Sequence, residues 1–513
     1  MSKNLLKSGS TVVIMTILSR VTGLLREMVF ANIFGATAGM DAFLAAFRIP
    51  NFMRRLFAEG AFSQAFVPTL SEYRQTRSHQ EVKDFIGNVA GMLSLVLFVV
   101  TVIATILAPI FVIIFTPGFI HDPSRFALTS AMLRVTFPYL FFISLTACAG
   151  AVLNSYDRFG VPAFTPVLLN LSMIGTAIFL APYFKEPVYA AAWGVFLGGV
   201  AQLLFQLPFL QKLKLLPKLH INWHDEGVRR VVRLMVPAIL GVSMAQIGLF
   251  IDMLFASFLR EGSITWLYFS DRMSNFPLGV FGVAIATVIL PHLSRKHAAK
   301  SQQEYSAALD WALRSILLIG IPCAIGILIL SGPILSTFLQ HGKFNAFAVQ
   351  MATKSLMAFS VGLPSFMLVK ILAAGFYSKQ DIKTPVRIAV IATILNILSN
   401  CILIFPLAHA GLALSTSLAS SFNASYLFYL LRKREIYTAQ KGWIKYFWQL
   451  GFANVAMIAA LLLTSPKLSV WLAWAPGKRV VHLGIAIAAA GIVYLGCLLA
   501  TGVRWHNFKL QQS

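Results

Sequence analysis

Acidic residues are scarce in this sequence. There are 18 Asp and Glu against 42 Lys and Arg in 513 residues, and charged residues of both signs make up only 12% of the chain. So little charge cannot solvate a globular surface of this size, which excludes a soluble fold. The mean hydropathy of +0.76 and the recurrent long apolar runs mark an integral membrane protein. Cysteine is rarer still: Cys148, Cys323, Cys401 and Cys497. All four fall in apolar stretches without a CxxC pair, so they are read as packing residues and not as a redox or metal site. The ten histidines show no HExxH spacing. There is no GxxxxGK[ST] loop, so no P-loop ATP site is expected in the chain. The net charge of +24 could suggest nucleic acid. No nucleic-acid-binding motif accompanies it, and in a multi-pass membrane protein such charge belongs to cytoplasmic loops.

What the chain has in abundance is spans. A helix needs about 20 residues to cross the hydrocarbon core. Fourteen stretches qualify, near 10–33, 41–70, 84–115, 128–154, 161–182, 188–210, 233–259, 265–294, 309–339, 348–377, 385–407, 411–431, 445–464 and 480–502. The basic start "MSKNLLK" and the apolar run after it resemble a signal peptide. No small-residue cleavage site is evident and Arg20 ends the apolar core, so the first stretch is read as a retained span. Lys and Arg crowd the loops on the N-terminal side, as at Lys212, Lys214, Lys218, Arg229 and Arg230, and thin out on the other side. That asymmetry places both termini in the cytoplasm.

The chain also repeats itself. "VPTLSEY" at 67–73 resembles "LPHLSRK" at 290–296, an offset of 223. Pro162 and Pro385 end comparable loops at the same offset, and "APIFVIIFTPGF" at 108–119 resembles "GPILSTFLQHGKF" at 332–344. The expected fold is therefore an all-α polytopic membrane protein built of two parallel six-helix repeats plus two further helices. The N-terminal lobe is 1–210, a cytoplasmic linker is 211–232, the C-terminal lobe is 233–433, and 434–513 holds the extra pair. Secondary transporters are built on such repeats and place the substrate site between them.

Charges inside spans are expensive and are kept for a use. On the second span Asp41, Arg48 and Arg55 recur every seven residues and share a helical face, which Asn51 and Glu59 extend. Pro50 is expected to interrupt this helix beside a cavity. Arg20 and Arg26 lie on the first span, Asp252 on the seventh, Asp271, Arg272 and Asn275 on the eighth, and Lys370 on the tenth. A plainer reading has Arg26, Arg54, Arg134, Arg314 and Lys354 snorkelling or pairing with acids, and Glu59 and Asp271 serving as structural counter-ions. Taken together the groups make a net positive cavity. Guanidinium forks suit phosphate and carboxylate oxygens, so the expected cargo is an anion, and a phosphorylated one fits best. The nearly charge-free final spans are either ballast or a groove for a lipid tail.

The segment "SRVTGLLREMVFANIFGATAGMDAFLAAFRIPNFMRRLFAEGAFSQAFVPTLSEY", 19–73, resembles the signature region of the MurJ (MviN) lipid II flippases. "YFSDRMSNFPLGVFGVAIATVILPHLS", 268–294, and "FYSKQDIKTPV", 376–386, resemble it too. That family belongs to the multidrug/oligosaccharidyl-lipid/polysaccharide exporter superfamily. The resemblance implies a bacterial inner-membrane flippase that is not an enzyme. It would carry undecaprenyl-diphosphate-linked peptidoglycan precursor outward by alternating access through a central cationic cavity. It implies functional roles for Arg20, Arg26, Asp41, Arg48, Asn51, Arg54, Arg55, Glu59, Arg272 and Lys370. Where the family has an acidic residue one turn after the Asp-Arg pair of the eighth span, this sequence has Asn275.

No cofactor is implied. The membrane potential would favour outward movement of an anion by about 2.3 kcal/mol per charge per 100 mV. The implied partners are lipid II and membrane phospholipids, with cell-wall synthesis and division proteins as further candidates and no nucleic acid. Three alternatives are a flippase for another polyprenyl-diphosphate-linked oligosaccharide, a small-molecule exporter of the superfamily, and a membrane-embedded glycosyltransferase. The exporter calls for an acidic cavity, and the last calls for larger loops than the roughly 211–232 segment. The topology predicts that single cysteines at Gly118, Lys185 and Lys343 react with an impermeant thiol reagent added outside spheroplasts. Those at Arg77, Lys214 and Lys300 should not, and labelling of the second set would refute the orientation.

Overall fold

The computed structural model describes residues 3–55, 62–299 and 301–503, with side chains placed in all of these except 3–10, 237–247 and 249. Among the described residues the fold is entirely helical. The first half contains α1 (Lys3–Phe34), α2 (Ala38–Arg54), α3 (Ser63–Thr76), α4 (His79–Ile106), α5 (Ala108–Phe115), α6 (Pro123–Thr136), α7 (Pro138–Ser155), α8 (Gly160–Phe179), α9 (Tyr189–Lys212) and α10 (Glu226–Ser257). The second contains α11 (Ser263–Pro277), α12 (Val283–Ala298), α13 (Gln302–Leu339), α14 (Ala346–Tyr377), α15 (Lys383–Leu407), α16 (His409–Lys433), α17 (Trp443–Thr464), α18 (Leu468–Ala473) and α19 (Pro476–Ala500). Among the described residues, helical segments fall in each of the fourteen expected stretches. Among the described residues ten are long and apolar enough to cross a membrane by length and composition.

The helix starts are chemically marked. Ser78 and Glu81 form a reciprocal capping box on α4. Asp122 caps α6, with Pro123 in the first turn where its missing N–H costs nothing. Asp225 caps α10 and Asn345 caps α14 through their side-chain oxygens. Pro50 behaves differently from the sequence expectation: α2 runs through it to Arg54, and the Arg55 N–H still reaches the Asn51 and Phe52 carbonyls. The freed carbonyl one turn back, that of Ala46, accepts from the Thr136 hydroxyl on α6 at 3.2 Å, so the proline marks no break.

Two compact units emerge, Met1–Ile264 and Thr265–Ser513. The repeat is written into the backbone of each. Helices α4 and α13, α6 and α14, and α8 and α15 begin at His79 and Gln302, Pro123 and Ala346, and Gly160 and Lys383, each pair 223 positions apart. The turn after α7 has Asp157 at φ 59° and the turn after α14 has Gln380 at φ 63°. Each is closed by the same bond, Arg158 N–H to the Leu153 carbonyl and Asp381 N–H to the Phe376 carbonyl. Beyond the sixth helix of each repeat the chain turns alike, through Lys214 at φ 57° and Glu435 at φ 55°. The helix that follows then folds back on its own unit: α10 packs on α3 and α4, and α17 packs on α13. That is why the packing boundary falls one helix later than the repeat boundary at 232/233.

The second unit shows how this docking is held. The segment after α16 is laced along α13. Gln302 donates to the Glu435 and Ile436 carbonyls, and Ser306 both accepts from Thr438 N–H and donates to its carbonyl. Buried Asp310 accepts from the Tyr437 hydroxyl at 2.5 Å, Gln440 N–H at 3.2 Å and the Trp443 indole at 2.7 Å, and its other oxygen lies 2.7 Å from Arg314 Nε. Arg314 in turn stacks on Trp443 and donates to the Lys441 carbonyl.

One position chosen above for labelling is unsuitable. A Cβ on Gly118 would stand 2.3 Å from the Ser257 carbonyl oxygen, so Lys185 and Lys343 are the usable outer positions. Lys300 lies outside the described residues. Asp310→Ala is expected to strand three donors and one guanidinium, at a cost of about 3 kcal/mol. The check is thermal unfolding in detergent, where Asp310→Asn should fall between the two. A wild-type midpoint for the alanine variant would show that α17 is held by its apolar face alone.

Candidate functional site

Charged side chains within the helices fall into two environments. In the first unit Arg26 is buried, at 7% exposure. Its Nη1 donates to Asn170 Oδ1 on α8 at 3.0 Å, and its Nη2 bonds the Glu27 carboxylate. Asn170 uses its amide nitrogen on α1, donating to the Ser19 carbonyl and the Thr22 hydroxyl, each at 3.2 Å. One amide thus ties the turn bearing Arg20 to the guanidinium six residues on. Arg20 itself is exposed. Arg26 is therefore not open cavity lining but part of a closed network between α1 and α8, as the plainer reading allowed. Neither Asn170 nor Glu27 stood out in the sequence, although Asn170 is a lone amide in the apolar run "VLLNLSMIG".

Asp41 is also buried, at 1% exposure. It sits in the first turn of α2, where a carboxylate is favoured by the helix dipole, and accepts from Gly262 N–H at 2.7 Å. Glu261 accepts from Ala38 N–H at the same end. These two acids fasten the start of α2 to the turn after α10 within the first unit. Further along α2 the environment opens. Arg48, Asn51, Arg54 and Arg55 are all half-buried, and Arg54 Nε donates to Asn51 Oδ1 at 2.9 Å. The Asp41–Arg48–Arg55 stripe therefore runs from a sealed end to an open one. Glu59 lies outside the described residues. Asp252 on α10 is half-buried.

In the second unit Asp271, Arg272 and Asn275 are all exposed on α11, a helix whose neighbouring residues Phe269, Ser270 and Ser274 are buried. Asn275 donates to Asp271 Oδ1 at 2.7 Å, an i,i+4 bond that an ionised carboxylate at 275 could not make. The Arg272 guanidinium lies 5.1 Å from the centroid of the Tyr268 ring, which braces the fork. A widened turn, Leu278–Gly282, follows at once and separates α11 from α12. Such turns inside helices recur at functional sites. Lys370 is exposed on α14. Among the described residues no cluster of His, Cys, Asp and Glu could hold a metal ion.

Chemically, these groups can hold an anion. Exposed guanidinium and ammonium groups on spanning helices cannot face hydrocarbon, so they border water or a polar cargo. A planar fork braced by an aromatic ring is suited to bidentate contact with phosphate oxygens.

Comparison with known proteins agrees with this chemistry. A family model described as lipid II flippase MurJ matches residues 30–497. The probable lipid II flippase MurJ of Haemophilus influenzae is 46% identical over 506 residues, covering 96% of this chain and 99% of its own. The lipid II flippase MurJ of Burkholderia cenocepacia is 42% identical over 513 residues, covering 99% of each chain. A solved lipid II flippase MurJ in an inward closed conformation superposes with a TM-score of 0.79 at 27% identity, over 95% of this chain and 97% of that one. A multidrug resistance MATE family transporter in an inward-facing conformation reaches 0.68 at 14% identity, over 83% of this chain and 97% of its own, a likeness of fold alone.

The two environments predict different tolerance to lysine. Arg26→Lys replaces the fork whose Nη1 and Nη2 reach Asn170 and Glu27 separately by a single ammonium point, and should lose about 1–3 kcal/mol of stability. Arg20→Lys, at an exposed position, should unfold as the wild type does. Equal midpoints for the two variants would contradict the Asn170–Arg26–Glu27 network.

Proposed function

The chain belongs to the MurJ family of lipid II flippases, and we propose that it carries lipid II from the cytoplasmic to the periplasmic leaflet of a bacterial inner membrane. The cargo crosses without a bond being made or broken, as the family's name for its members implies. The observation that carries the reading is the set of cationic side chains, Arg48, Arg55, Arg272 and Lys370, held half-buried or exposed on α2, α11 and α14. Lipid II brings a diphosphate and peptide carboxylates to such groups.

The finer parts of the proposal are these. The fourteen helical stretches are spans with both termini in the cytoplasm, supported by the distribution of Lys and Arg. The two repeats, 1–210 and 233–433, move by alternating access, supported by their shared backbone turns, and the pair in 434–513 offers an apolar surface to the polyprenyl tail. The open residues Arg20, Arg48, Asn51, Arg54, Arg55, Asp271, Arg272, Asn275 and Lys370 engage the head. Arg26 and Asp41 hold the scaffold in place. The membrane potential supplies drive, no cofactor takes part, and the protein works among phospholipids with cell-wall synthesis and division proteins. Because Asn275 replaces a carboxylate, Asp271 is left as the one acid at this place on α11.

Arg272 is the sharpest test. Arg272→Ala should abolish lipid II binding by the purified protein. Arg272→Lys keeps the charge but loses the fork and its seat on Tyr268, and should weaken binding by about 1–3 kcal/mol with unchanged unfolding temperature. If the lysine variant binds lipid II as tightly as wild type, Arg272 supplies only charge, and a bidentate clamp is not formed there.

A further inference from the structure

The segment after α9 has the composition of a solvated basic linker: Lys212, Lys214, Lys218, Arg229 and Arg230 lie in and around it. Its conformation says otherwise. The backbone of Lys218–His220 is pressed onto α4 where Gly87 and Gly91 leave a groove. A Cβ on Gly87 would meet the Lys218 carbonyl oxygen at 2.4 Å, and one on Gly91 would meet the His220 carbonyl oxygen at 2.2 Å. The His220 N–H bonds the Gly87 carbonyl at 3.3 Å. Downstream, Asn88 donates to Asp225, and Arg230 forms a two-pronged bond with Glu72 that holds the Glu72 carboxyl below its usual range.

With the backbone facing the protein, the side chains face away. Leu216, Leu219, Ile221 and Trp223 are exposed by 39%, 59%, 62% and 53%, with exposed Lys214, Lys218, His220 and Asn222 between and beside them. Four large apolar groups in a short segment are an unusual face to offer water. The patch is not isolated. Beneath Trp223 lies a cavity of about 280 Å³ between α4 and α10, lined only by apolar side chains that include Val89, Met92, Val96, Val232 and Val236. Val96 and Val236 are themselves exposed, and α4 continues outward through exposed Phe98, Val99 and Val102. The strap is thus continuous with a helix surface that faces lipid.

We propose that residues 213–225 are an interfacial anchor, lying in the headgroup layer with Leu216, Leu219, Ile221 and Trp223 at the acyl boundary and the lysines among the phosphates of anionic phospholipids. Indole at the interface and lysine at anionic headgroups are each favoured there, and a strap that carries Trp223 with Lys214 and Lys218 suits both at once. The anchor rests on the orientation proposed above, which puts this segment at the cytoplasmic leaflet. By gripping α4 and α10 at that level, it fixes the depth of the first unit while cargo moves.

The test uses full-length protein with Cys148, Cys323, Cys401 and Cys497 replaced by Ala, in liposomes of phosphatidylethanolamine and phosphatidylglycerol. A nitroxide is attached at Leu219→Cys or, separately, at Lys214→Cys. The label at 219 should collide more with oxygen, which concentrates in lipid, than with a water-soluble nickel chelate, and the label at 214 should show the reverse. The oxygen preference at 219 should fall when phosphatidylcholine replaces phosphatidylglycerol, and again when Gly91→Ala pushes the strap off α4. A label at 219 as open to the chelate as that at 214 would overturn the anchor and leave the patch for a protein partner. Orientation is read independently, from reduction of the label at 214 by ascorbate added outside vesicles of known sidedness. A wrong topology and a wrong anchor therefore give different results.

Discussion

A charge held at the level of a membrane's hydrocarbon must be neutralised by protein or kept wet. That constraint sorts the basic residues here more sharply than their positions in the sequence do. Arg26 is closed in by Asn170 and Glu27. Arg479 is buried at the start of α19, where its guanidinium donates to the carbonyls of Trp471, Ser336, Gln340 and Leu472. These arginines act as cross-links, exchanging water for oxygen atoms fixed by the fold. Arg20, Arg272 and Lys370 are exposed on their helices, where water or a polar cargo can reach them. The same rule explains the acids. Asp41 and Asp310 are sealed by donors from backbone and side chains, whereas Asp271 stays open with Asn275 as its neighbour.

Repetition supplies the frame on which this sorting happens. The two units begin corresponding helices at a fixed offset and close corresponding turns with the same bonds, yet they differ where function would need them to. The exposed Asp271–Arg272–Asn275 group belongs to the second unit. The buried α1–α8 network and the graded stripe on α2 belong to the first. Unequal chemistry on equal scaffolds suits an asymmetric cargo such as lipid II, whose head carries a diphosphate at one end and a peptide at the other.

Much of this was legible in the residues. Apolar runs gave the helical stretches, because a span must satisfy its own backbone and so reads as one long run. The 223-residue offset gave the repeat, and the spaced arginines gave the anionic cargo. Three things were not legible. Pro50 read as a break, since a sequence shows the lost donor but not whether the rest of the helix holds its course. The choice between cavity lining and pairing at Arg26 was not readable, since its partner Asn170 is 144 positions away and only folding brings them together. The docking of the linker on α4 was hidden, since Gly87 and Gly91 lie more than 120 positions before the Lys218 and His220 carbonyls that they admit.

The central claim is movement of lipid II across the membrane, and it is tested most directly in cells that depend on this chain for growth. An impermeant enzyme that cleaves lipid II is added outside spheroplasts, and the cleaved fraction is measured before and after the protein is depleted. The account predicts cleavage while the protein is present and loss of cleavage on depletion, with intact lipid II accumulating in the inner leaflet. Undiminished cleavage after depletion, with no other flippase present, would contradict it.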